Sequence, residues 1–192
     1  MKRRFPTLAG PVLGILALAT VVPLSTACEG FDFQWVPVVD TVAIFSLARP
    51  EFTDQPAAFD FYNRTRVVVE RPLGGDPFVF DMALTELDGE MVLLPAGLFE
   101  TFAINPGLAI DSSGTTFDEL AEAPRDGYVT EEPVPVRTDV VYTVRTRRDG
   151  SGCSRYGKFE ILEVHAVEGW ILFRQVRNNL CNDRELIPPD DE

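Results

Sequence analysis

Val140-Val-Tyr-Thr-Val-Arg-Thr-Arg147 is the stretch on which the fold turns. Val140, Tyr142 and Val144 fall on one side of an extended chain, and Thr143, Arg145 and Arg147 fall on the other. A period of two lines one face of a strand and would be scattered around a helix. Downstream, Tyr156–Val164 and Trp170–Val176 read as two strands of a hairpin around Glu168-Gly169. Upstream, Asp88-Gly89 is a tight-turn dipeptide between Phe78-Val-Phe-Asp-Met-Ala-Leu84 and Met91–Leu94. Thr41–Ala48 and Thr65–Glu70 are further β-branched or apolar runs, bounded by Pro50, Pro56, Pro72 and Gly74-Gly75. One interruption reads as helical. Thr116-Phe-Asp-Glu119 is a capping box, in which the Thr hydroxyl and the Glu carboxylate satisfy free N–H groups at a helix start, and Pro124 ends it. The expectation is an all-β chain, mainly antiparallel sheet or sandwich, with one short helix near 116–123.

The ends of the chain read differently. Lys2-Arg3-Arg4 precedes an apolar run from Pro11 to Val22. That run is shorter than the ~20 residues a membrane-spanning helix needs, but it suits the apolar part of a signal peptide. Ser25-Thr26-Ala27 then brings small residues up to Cys28, which resembles the bacterial lipoprotein signal, where that cysteine is acylated and becomes the mature N-terminus. Ser25-x-Ala27 equally suits ordinary signal peptidase. The partition expected is a signal peptide at 1–27, a tether at 28–40, one β domain at 41–187 and an acidic tail at 188–192. Loss of Lys2, Arg3 and Arg4 takes the net charge from −13 to −16. So acidic a chain lacks the cations that neutralise phosphates, and nucleic acid is excluded as a partner. With Cys28 taken by lipid, Cys153 and Cys181 remain as an even pair in an oxidising compartment, expected to clamp the last hairpin; two free buried thiols are the other reading.

Five short segments, in order, resemble the HmuY-type haem-binding lipoproteins of bacterial envelopes. They are Phe59-Asp-Phe61, then Phe80-Asp-Met-Ala-Leu84, then Phe117-Asp-Glu-Leu120 with Ala123-Pro-Arg-Asp-Gly-Tyr128, then Val141-Tyr-Thr-Val-Arg145 with Gly157-Lys-Phe159, and finally Gly169-Trp-Ile-Leu-Phe173. The resemblance spans about two-thirds of the mature chain. It implies an all-β, lipid-anchored, non-enzymatic envelope protein that binds a ligand, with haem or a related tetrapyrrole as the family's cofactor. The family carries its iron-ligating histidines between the Gly-Tyr exit and the next strand. Here that interval, Val129 to Val140, holds neither His nor Met.

The candidates for a site are therefore dispersed. His165 is the single histidine, and Met82 and Met91 offer thioethers, although Met in an alternating strand is ordinarily core filler. Arg145, Arg147 and Arg148 make a basic island that could receive an anion, Arg145 and Arg147 being the candidates, or pair with nearby acids. There is no Gly-x-Ser-x-Gly elbow, no His-Glu-x-x-His and no Cys-x-x-Cys, so no catalytic residue and no metal site is assigned. Two functions stay open: a tethered module for a small ligand, or a structural or protein-binding envelope lipoprotein with no haem.

Overall fold

Ten strands form two antiparallel five-stranded sheets in the computed structural model, which describes residues 35, 37–69, 79–99, 105–148, 150 and 152–188. The chain divides into two units, Met1–Asp32 and Phe33–Glu192, and every described residue belongs to the second. The expected signal peptide, Cys28 and residues 189–192 of the tail lie outside the described residues.

The first sheet runs in the order β1 (Asp40–Phe45), β10 (Trp170–Arg177), β9 (Tyr156–His165), β8 (Val141–Arg145) and β6 (Gly107–Asp111). The second runs β3 (Thr65–Val67), β2 (Ala58–Asp60), β4 (Met82–Leu87), β5 (Glu90–Pro95) and β7 (Val134–Pro135). The all-β antiparallel expectation holds, and the quoted stretch is a strand of the first sheet. Both hairpins form where their turn residues require. Asp88 and Gly89 take φ of 52° and 84°, the pair of positive values that matches the twist of flanking strands. Gly169 takes φ 76°, and a Cβ there would stand 2.9 Å from the Arg49 side chain.

The sheets face one another across an aromatic interior. Phe59 of β2 meets Phe173 of β10 edge-on with ring centroids 5.4 Å apart, and Phe61 lies 5.4 Å from Phe159 of β9. Tyr142 stacks on Phe159 at 4.8 Å, and its hydroxyl donates to the Pro135 carbonyl at 2.8 Å, joining β8 to β7. Each such ring, fully buried, contributes roughly 1.5–3 kcal/mol by leaving water. The outer face of the first sheet is covered too. Trp35, Phe117, Val141 and Val176 make a second apolar cluster, and the Trp35 indole N–H donates to the Arg177 carbonyl at 3.1 Å. Thr143, on the outward side of β8, is consequently buried.

The short helix expected at 116–123 is corrected to a single turn. Half of the capping box forms: Glu119 accepts from the Thr116 N–H at 3.2 Å, while the Thr116 hydroxyl donates to the same carboxylate at 2.7 Å and the Glu119 N–H turns to the Thr116 carbonyl. After Leu120 the chain is drawn into extended pairing with a distant segment. Ala123 N–H donates to the Arg184 carbonyl and Leu186 N–H to the Ala121 carbonyl, and Glu122 bridges Glu185. These bonds consume the backbone groups that a second helical turn would need.

Cys153 and Cys181 form a disulfide, with Cα atoms 5.2 Å apart, across the open end of the β9–β10 hairpin. At the free edge of the first sheet, Phe45 N–H turns away from β10 and donates to the Pro56 carbonyl at 3.0 Å. By alternation the N–H groups of Ala43 and Thr41 also point outward, and that of Thr41 is taken by the Asp40 carboxylate at 2.9 Å.

Candidate functional site

The sequence candidates for a haem site do not come together. His165 lies at the far end of β9, its ring stacked on Trp170 with centroids 3.7 Å apart and planes 9° from parallel. Its Nε2 is 2.8 Å from a Glu163 oxygen and its Nδ1 is 4.0 Å from Glu168. Met82 and Met91 are buried between the sheets, opposite Pro95 and Glu86 respectively, near the two ends of the β4–β5 hairpin. Imidazole and thioethers thus sit on different sheets and in different environments, and these residues do not fit an iron axial pair.

Charge is concentrated instead at the other end of the sandwich, around the turn that follows β2. Asp60 at the end of β2 accepts from Asn63, at 3.0 Å from its N–H and 2.7 Å from its side-chain amide, and this closes the turn. Asp81, just before β4, accepts from Tyr62 N–H at 3.0 Å. Arg147, leaving β8, spans both carboxylates. It donates to Asp60 through both terminal nitrogens at 2.9 and 3.0 Å, and to Asp81 at 3.3 Å through Nη1 and 2.9 Å through its backbone N–H. Asp60 and Asp81 are 1% and 0% exposed. Burial pushes the Asp81 carboxyl up to about 6, with Asp60 adding to the effect and Arg147 opposing it. All four carboxylate oxygens are engaged, so this pair links the sheets and offers no free base. Arg147 is thereby occupied by acids. Arg145 donates to the Asn105 carbonyl at 3.2 Å and lies 4.9 Å from the centre of the Tyr128 ring.

Three more arginines surround the same turn. Arg155, just before β9, donates to the Tyr62 carbonyl at 2.8 Å and covers the Tyr62 ring at 4.0 Å. Arg177, ending β10, donates to the carbonyls of Phe61, at 3.1 Å, and Tyr62. Arg64, at φ 59°, donates to the Val38 carbonyl at 2.9 Å. Burial, then the nearby charges of Arg155 and Arg64, push the Arg177 guanidinium down to about 10. Sequence reading missed this cluster because residues 64, 155 and 177 become neighbours only when a turn of one sheet meets two strand ends of the other. The one local signal was the density of arginine on β8–β10, in a chain with 30 acids against 17 basic residues.

Arg64 also lines a cleft of about 460 Å³ at the sandwich edge. Its wall is polar at Asp40, Thr41, Arg64 and Arg66, and apolar at Phe59 and Leu172. Among the described residues no three His, Cys, Asp or Glu side chains group as metal ligands. No family model matches the sequence, and no curated protein matches it.

Proposed function

We propose that this chain is an exported envelope protein, held at a membrane by lipid on Cys28, whose sandwich binds a small ligand and does not transform it. The observation that supports this is the cleft between the free edges of β1 and β3. Its lining is mainly polar, with the cations Arg64 and Arg66 beside Asp40 and Thr41, a setting for a charged or strongly polar ligand. The burial of Asp60 and Asp81 beneath Arg147 supports binding over catalysis, because neither carboxylate faces solvent where a substrate would stand. Haem is not the ligand proposed, since His165, Met82 and Met91 do not converge.

Mass spectrometry under native conditions, on the chain released in detergent from its own envelope, tests the reading. A retained mass is expected on the wild type and not on Ala43→Trp, which fills the cleft. A wild type without any retained mass, or equal retention by the variant, would overturn it. A tetrapyrrole mass lost in His165→Ala would also overturn it, in favour of iron ligation.

A further inference from the structure

The arginines around the Phe61–Arg64 turn outnumber their acids. Arg64, Arg147, Arg155 and Arg177 bring four positive charges to a region whose buried carboxylates are Asp60 and Asp81, and both of those are engaged by Arg147. Two charges are left over, in a protein whose net charge is −13. Arg155 and Arg177 converge on one carbonyl oxygen, that of Tyr62, so the two guanidinium groups lie side by side. Like charges held so close repel, and the Arg155 and Arg64 charges add to burial, the larger cause, in lowering Arg177.

The hydrogen bonds are incomplete as well. The Nε–H groups of Arg64, Arg155 and Arg177 are all buried and without an acceptor. Two residues before Arg177, on the same face of β10, Gln175 is 0% exposed with neither amide atom bonded. Each buried donor left unpaired costs roughly 1–3 kcal/mol, and native structures hold few of them. Three such guanidinium donors in one place, with unneutralised charge, describe a site that lacks its anion. Arg64 and Arg155 are only partly buried, which leaves a path from solvent.

We propose that Arg64, Arg155 and Arg177 bind a dianionic tetrahedral oxyanion, the phosphate or sulfate group of a small ligand. The proposal rests on the binding-module reading, since Arg64 belongs both to the cleft and to the cluster. A dianion balances the two surplus charges, and its oxygens accept from the orphaned Nε–H groups in the forked geometry that guanidinium favours. Gln175 supplies an amide to whatever group, ester oxygen or ordered water, completes the site.

Isothermal titration calorimetry on the full chain in detergent tests this with inorganic phosphate, sodium sulfate and glycerol 3-phosphate, against sodium chloride at matched ionic strength. Saturable binding of one oxyanion per chain is expected, with a dissociation constant below about 1 mM and no such isotherm for chloride. Tighter binding of glycerol 3-phosphate than of phosphate would identify an esterified group, and equal binding a free ion. Arg155→Gln should weaken binding about tenfold or more, by loss of a charge-assisted pair. Without oxyanion its thermal midpoint should hold or rise, because a repulsive neighbour of Arg177 is gone; an arginine that only braced the turn would lower it. Should Arg155→Gln fail to fold, Arg64→Gln on the partly exposed turn carries the same expectation. Isotherms indistinguishable from chloride, or variants that bind as the wild type does, would overturn the proposal. A silent titration beside a cleft-dependent retained mass removes the oxyanion and keeps the binding module. A silent titration with no retained mass removes both.

Discussion

Asp81 shows how one residue sets a pH dependence for the molecule. Its carboxyl is raised from 3.8 to about 6 in the folded chain, chiefly by burial. The native state therefore holds this proton more tightly than the unfolded chain does. The stability it contributes is fully present below about pH 4 and is lost as pH rises through about 6, an effect of roughly 2–3 kcal/mol. Asp81→Asn removes the titration, although its amide opposes the Tyr62 N–H and lowers stability by a constant amount. Urea unfolding at pH 4, 5, 6 and 7 should show the stability gap between wild type and Asp81→Asn shrinking toward neutral pH; parallel curves would refute the assignment. None of this was legible in the sequence. Phe80-Asp81-Met82 reads as one polar position at a strand start, and only the fold seals it against Asp60 and Arg147. Burial of Thr143 was hidden for a related reason, since Phe117 and Trp35 cover its face of β8 and neither is near in sequence.

Elements were legible where a turn and an alternation agreed. Asp88-Gly89 and Glu168-Gly169 each carry a residue that tolerates positive φ between alternating runs, and both hairpins form there. β6, Gly107–Asp111, escaped notice because Leu108-Ala-Ile110 is a short continuous apolar run with no alternation, although Ser113-Gly114 punctuates its C-terminal side. At Thr116–Glu119 the local signal was half right and the element wrong: Glu119 caps the Thr116 N–H, but pairing with residues 184–186 prevents a second turn. The cysteine reading held because 153 and 181 flank two segments whose pairing was already clear. Their bridge closes a 28-residue separation, worth about 3–4 kcal/mol in the chain-entropy account. Replacing both by serine should lower unfolding stability by that order. Amide exchange should accelerate first at Tyr156–Lys158 and Val176–Arg177, the open end of the hairpin. A loss under about 1 kcal/mol would mean that packing of β9 against β10 holds that end unaided.

For the whole molecule, charge and attachment act together. Under the proposed function the chain that begins at Cys28 carries a net charge of −16 and is repelled by an anionic membrane surface, so the acyl group supplies the membrane affinity. Cys28→Ser should move the protein from the membrane pellet to the supernatant at any ionic strength. A variant that stays in the pellet and washes off only in high salt would mean that protein charge, not lipid, holds it.

Proteins fixed by one end to a two-dimensional surface meet their own copies far more often than they would in free solution, and an open sheet edge invites them to polymerise. In β1 the outward N–H of Phe45 is spent on Pro56 and that of Thr41 on Asp40. A neighbouring strand would find a single donor there, at Ala43, so under the proposed attachment this edge offers crowded copies little to template.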